Sequence, residues 1–261
     1  MTRTAELADR YLVIPDVRGP RIRLGLLWTL GLFVALAFSV TGLAVYLGMT
    51  AAVAALQTSA RWRDADTTAN QWLAAGGAFV IVVASAVGNM ACGVAILLFT
   101  LAAVLFPAGV AFRLPASWNE IGTHAWGTLA SGLFVAIAGV AAVQLERIDA
   151  LTFLFLVGAA STYDAGDFLC TEGRRNRWVG PAAGMAGVLV VTIAMAIAQP
   201  PPFTSPEALV LGVLLVVLCP AGQLLASWLL PRGRAHAPAL RRLDSWLLAG
   251  PLLLIAAWIA Q

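Results

Sequence analysis

The chain has 261 residues, 61% hydrophobic and 11% charged, with a mean hydropathy of +0.88. Soluble domains carry roughly a quarter charged residues, so a soluble globular protein is excluded. Runs such as Ala78 to Val87 and Ala208 to Leu218 are apolar on every face, which excludes the alternating strands of a membrane β-barrel. Net charge is +3 and all sixteen basic residues are arginine, so no lysine is present to act as a Schiff base or other catalytic amine.

In chain order, Met1 to Pro20 is polar, bears both charge signs and lacks the pattern of a cleavable leader. The apolar run from Leu24 to Thr58 is too long for one membrane span and predicts a hairpin turning near Thr41 and Gly42. Trp72 to Phe112 predicts two more spans parting near Gly88 and Asn89, followed by single spans at Ala125 to Val143 and Ala150 to Cys170. Pro181 to Ala198, Ala208 to Leu230 and Trp246 to Ala260 complete an all-α, polytopic transmembrane helical bundle of about nine spans. Three parts are expected: a cytoplasmic segment over 1–23, N-terminal membrane helices over 24–143, and a C-terminal membrane domain over 144–261.

The arginines check this count. Those at positions 3, 10, 18, 21, 23, 61, 63, 113, 174, 175, 177, 232, 234, 241 and 242 all fall on one side of a nine-span layout, and only Arg147 falls on the other. The positive-inside rule then assigns that side and the N-terminus to the cytoplasm of, in this reading, a bacterial plasma membrane. Gln199 to Pro206, with three consecutive prolines and no positive charge, predicts a tight turn on the opposite face. Cys92, Cys170 and Cys219 stand singly in apolar surroundings, without spacing for a disulfide or zinc site.

Ionisable groups within spans carry the functional signal, because a charge at the centre of a membrane helix is costly. Asp164 and Asp167 stand three residues apart in Ser161 to Phe168, and a continuing helix would set both on one face. One reading is a divalent-metal site or an ion path; the other ends the helix at Tyr163 and leaves both acids wet, capping or paired with Arg174 or Arg175. The basic stretches Glu172 to Trp178 and Arg232 to Arg242 fit either a phosphate clamp or an ordinary topogenic cluster on anionic lipid. Asp244 reads as a helix N-terminal acid beside Ser245. Glu146 and Asp149 read as neutralising Arg147, and the glycines from Gly180 to Gly187 as a face for close helix packing.

Two stretches carry a family resemblance. Leu240-Arg241-Arg242-Leu243-Asp244-Ser245, leading into Trp246 to Pro251, resembles the Asp-Arg-hydrophobic-Asp-Ser stretch of the phosphatidate cytidylyltransferases, or CDP-diacylglycerol synthases. Asp164-Ala165-Gly166-Asp167-Phe168, then a basic loop, then Gly180-Pro181 to Gly187, are similar to that family's Asp-x-Gly-Ala-Tyr element, loop and Ser-Pro-x-Lys-Thr-x-Glu-Gly run. The likeness covers about Asp164 to Ala260, and more weakly the N-terminal hairpins. Departures are several: the family Lys, Thr and Glu fall on Ala183, Gly184 and Ala186, and the Asp of a later Gly-Asp pair falls on Gln223, after Gly222. The Lys-Asp pair and the Pro-Gly-His-Gly-Gly run are missing, and the first Asp of the C-terminal element is Arg241. Asp164, Arg242 and Asp244 remain.

The resemblance implies a membrane enzyme joining CTP to phosphatidic acid, giving CDP-diacylglycerol and diphosphate. Asp164, Asp167 and Asp244 would hold Mg²⁺, and Arg174, Arg175, Arg241 and Arg242 would clamp phosphate. No protein nucleophile is required, since both reacting groups belong to substrates. The partners expected are phosphatidic acid or another anionic lipid, CTP and the membrane, with no nucleic acid; a homodimer is compatible with this reading. Two other classes remain open: a non-catalytic lipid-binding or scaffolding homologue, and an ion-coupled transporter using Asp164 and Asp167.

Overall fold

The computed structural model describes residues 21–64, 69–111, 118–171, 178–231 and 237–261. Among them nine α-helices follow one another: α1 Arg21–Phe38, α2 Val40–Arg63, α3 Gln71–Val87, α4 Asn89–Ala111, α5 Trp118–Ile148, α6 Ala150–Thr171, α7 Val179–Ala198, α8 Ser205–Trp228 and α9 Trp246–Ile259, with a single 3₁₀ turn at Leu240–Arg242. No strand occurs among the described residues. Within a bilayer each backbone N–H and C=O must find its partner inside the chain, and a helix meets that demand locally.

Five helices, α2, α4, α5, α7 and α8, are long and apolar enough to cross a membrane, the mark of an integral membrane protein. Shorter apolar helices cover Leu27–Phe38, Gln71–Val87 and Trp246–Ile259. Helix α6 is long enough but falls outside these groups, because its second half runs Ser-Thr-Tyr-Asp-Ala-Gly-Asp.

The helix boundaries have local causes. Ser39 is extended and its Oγ accepts the Gly42 amide at 3.0 Å, so the first break falls at Ser39, slightly before the Thr41–Gly42 turn the composition suggests. The second break falls at Gly88, as expected. Asp149 accepts the amides of Leu151 at 2.7 Å and Thr152 at 3.4 Å, capping α6. Arg147, which Glu146 and Asp149 were expected to neutralise, instead donates to the Ser85 carbonyl at 3.2 Å, at the end of α3, and to Gln144 Oε1 at 3.1 Å. The three prolines do form a turn, closed by Phe203 N–H donating to the Pro200 carbonyl at 2.9 Å.

Helix α5 runs through the centre, packed by α2, α3, α4, α6 and α9, and its buried residues are mostly Ala, Gly and Val. Small side chains let the surrounding backbones approach closely without any net hydrophobic drive inside lipid. The outer faces of α4, α7 and α8 carry exposed Leu, Val and Ile such as Leu97, Val190 and Val213. Near its C-terminal end α2 anchors the connector between α8 and α9: Trp62 Nε1 donates to the Leu229 carbonyl at 3.0 Å, and Gln57 Oε1 accepts the Ala239 amide at 2.8 Å. Farther along, Ser245, just before α9, meets Asp164 on α6.

Candidate functional site

Helix α6 does not stop at Tyr163. It continues through both acids to Thr171, so the alternative in which they are wet residues beyond a helix end does not hold. What keeps this polar stretch inside the bundle is its contact with α7. A Cβ on Gly166 would lie 2.6 Å from the Gly184 nitrogen, and one on Gly184 would lie 2.5 Å from the Tyr163 carbonyl oxygen. Gly180, Gly184 and Gly187 thus form the packing face that their spacing suggests, and α6 and α7 meet backbone to backbone.

Facing this stretch are the connector and α8. Ser245 joins the two distant acids: its amide donates to Asp244 Oδ1 at 2.8 Å and its hydroxyl donates to Asp164 Oδ2 at 3.3 Å, across 81 residues of chain. Asp244, 2% exposed, does not cap α9, which has no side-chain cap of its own. Its Oδ2 lies 3.5 Å from Arg241 NH1, which also donates to Ser227 Oγ at 3.0 Å and to the Gln223 carbonyl at 3.4 Å. Arg242 supplies a further positive charge near Asp164, while Asp244 opposes it. Its guanidinium rests on α1 at Gly25, where a Cβ would stand 3.2 Å from NH1.

Asp167 has a separate set of partners. Thr171 Oγ1 donates to its Oδ1 at 3.3 Å and Gln223 Nε2 to its Oδ2 at 3.4 Å, while Tyr163, fully buried, donates its hydroxyl to Gln223 Oε1 at 3.0 Å. The two α6 acids therefore look toward different elements, although both contribute charge to the same cluster. Arg174 and Arg175, expected as phosphate ligands, lie outside the described residues.

Of the six oxygens on Asp164, Asp167 and Asp244, Asp164 Oδ1 alone is shut away from solvent with no hydrogen-bond partner. Among the described residues, no three His, Cys, Asp or Glu side chains come together as the ligand set of one ion. Mg²⁺ does not require such a set, because it commonly takes one or two carboxylates and completes its shell with phosphate oxygens and water. Asp164, with its free Oδ1, fits that lesser demand most directly, while Asp244 and Asp167 each have both oxygens in polar contacts and keep a further lone pair on each oxygen.

Asp244 lies between the 3₁₀ turn and α9, and its carboxyl is pushed up to about 6 by burial, against the opposing effects of the Arg241 charge and the Ser245 amide. A raised carboxyl holds its proton longer in the folded than in the unfolded chain, so its contribution to stability is present at low pH and declines as pH rises through the interval from 3.8 to about 6. Thermal unfolding in detergent is expected to shift upward on moving from pH 6.5 to pH 4.5, and Asp244→Asn to flatten that part of the profile. An unchanged slope in the variant would contradict the assignment.

Tyr163, Gln223, Ser245 and Ser227 belong to the cluster, although composition does not mark them. Adjacency to Asp164 and Asp244 was the available signal for Tyr163 and Ser245. Comparison of the chain with family models, with curated proteins and with solved structures yields no match.

Proposed function

We propose that the chain is a phosphatidate cytidylyltransferase-like integral membrane protein, with all nine helices crossing a bacterial plasma membrane and the polar cluster on its cytoplasmic side. The observation that carries this reading is the meeting of Asp164 with Asp244 and Ser245 beside Arg241 and Arg242, the same residues on which the resemblance rests. Fifteen of the sixteen arginines fall on that side of the nine-span layout, which supports the orientation.

In this reading a phosphate oxygen of phosphatidic acid bonds to the α-phosphorus of CTP, and the bond from that phosphorus to the bridging oxygen of the β-phosphate breaks, releasing diphosphate. Arg241 and Arg242 hold phosphate oxygens through guanidinium donors and offset the charge that develops on them. Asp164 and Asp244 would hold Mg²⁺, which when bound neutralises phosphate charge and orients the two substrates. Ser245 fixes Asp164, and Arg241 ties Asp244 to α8, so the carboxylates are positioned before substrate arrives.

A second reading, a non-catalytic lipid-binding homologue, is favoured by Gln223, which stands at the family's carboxylate position and spends its amide on Tyr163 and Asp167. Labelled CTP, phosphatidic acid and Mg²⁺ with purified protein separate the two. CDP-diacylglycerol formation supports the enzyme; phosphatidic acid binding without product supports the binding homologue; neither binding nor product overturns both.

A further inference from the structure

Among the described residues three buried side-chain polar atoms have no hydrogen-bond partner: Trp28 Nε1, Glu146 Oε2 and Asp164 Oδ1. Glu146 lies before the start of α6, about 20 Å along that helix from Asp164. Trp28 and Asp164 instead flank one short segment. The Trp28 ring packs edge-on against Trp246, with centroids 5.8 Å apart and planes at 78°. Trp246 follows Ser245, the residue bonded to Asp164. One turn before Trp28, the Arg242 guanidinium rests on Gly25. An unmatched indole donor on α1, a guanidinium and an unmatched carboxylate oxygen thus border residues 242–246.

A buried donor without an acceptor destabilises the fold unless something else meets it, and indole N–H can only donate. The group suited to this place is an acceptor compatible with the neighbouring guanidinium, which is an anionic oxygen. We propose that Trp28 is a ligand-binding residue whose Nε1–H donates to a phosphate oxygen of the lipid held by Arg242. A lipid rather than a nucleotide fits, because α1 borders the bilayer: Leu27 and Leu30, on either side of Trp28, are 63% and 60% exposed. The proposal rests on the phosphate-binding reading of the cluster and adds the first helix, which lies outside the stretch from Asp164 to Ala260.

The test uses the full chain in phosphatidylcholine nanodiscs with and without phosphatidic acid. Trp28→Phe keeps an aromatic ring beside Trp246 while removing the N–H together with the rest of the five-membered ring, so phosphatidic acid binding is expected to weaken about tenfold, the effect of losing one hydrogen bond to a charged group, while CTP binding is unchanged. Trp28→His, which retains a ring N–H, is expected to recover part of the loss. In the parent protein, one ¹⁵N-indole resonance should move downfield with phosphatidic acid and remain in place in phosphatidylcholine alone, a readout that stands even where a variant fails to fold. Unchanged binding by Trp28→Phe alongside weakened binding by Arg242→Gln would overturn the role of Trp28 and leave the site intact. A loss confined to CTP would overturn the lipid assignment, and a parent protein that takes up no phosphatidic acid would overturn the underlying reading itself.

Discussion

Under the proposed cytidylyltransferase reading, Asp164→Asn is expected to lower CDP-diacylglycerol formation by about 10²-fold or more, since a carboxylate that would hold a metal against a phosphate supports several kcal/mol of transition-state stabilisation and each 1.36 kcal/mol is about tenfold in rate. The substitution is nearly isosteric. An amide oxygen at position 164 can still accept from the Ser245 hydroxyl, so the geometry of the turn is kept and the charge alone is removed. The same substitution takes an ionisable group out of the membrane interior, so thermal stability in detergent should rise while turnover falls. That opposed pair of signs separates a functional carboxylate from a structural one: a residue placed for stability would lose both together. Turnover with labelled CTP and a melting curve on the same preparation read the two quantities. An active Asp164→Asn protein would remove the acid from the mechanism.

Gly222→Val is expected to destabilise the protein by about 1–3 kcal/mol or more and to abolish ligand binding with it. Helix α8 passes the connector at this glycine, where a Cβ would collide with the Asp244 carbonyl oxygen and come within 3.4 Å of the Ser245 Cα. The obstacle is backbone, so no side-chain rotation relieves it. The connector has little room to retreat, because Leu243 is fully buried on one side of the turn and Trp246, 1% exposed, packs against Trp28 and Phe153 on the other. Whatever movement occurs must pull Ser245 from Asp164. Gly76→Ala in α3 is the control, since nothing stands within 4 Å of its Cβ position and alanine suits a helix better than glycine. Equal melting temperatures for parent and Gly222→Val would show that α8 does not hold the connector.

Much of the helix layout is legible in the residues, since apolar runs parted by Gly88, by polar loops and by the prolines after Gln199 match in order the nine helices among the described residues, five of which are long and apolar enough to cross a membrane. Composition alone sets the first break a little late, because Ser39, whose hydroxyl accepts the Gly42 amide, carries no hydropathy signal. Asp149 and Asp244 show a different limit. Both sit just before a helix with similar local sequence signals, yet Asp149 caps α6 while Asp244 turns toward Ser245 and Arg241. Local sequence cannot distinguish them, because the difference lies in what packs against the turn.

Composition and the lengths of the apolar runs are enough to specify lipid as the solvent and helix as the secondary structure. Lipid leaves helices as the local solution for backbone hydrogen bonding, which needs no long-range contact. Which polar groups meet depends on packing between distant helices. A helix apolar on nearly every side carries no periodic mark of the face it turns inward. The rotation of α6, α8 and the connector is set instead by glycine-to-backbone contacts at Gly166, Gly184 and Gly222 and by the hydrogen bonds from Gln57 and Trp62. Those contacts join positions far apart in the chain, and they bring Asp164 to Ser245 and Asp167 to Gln223.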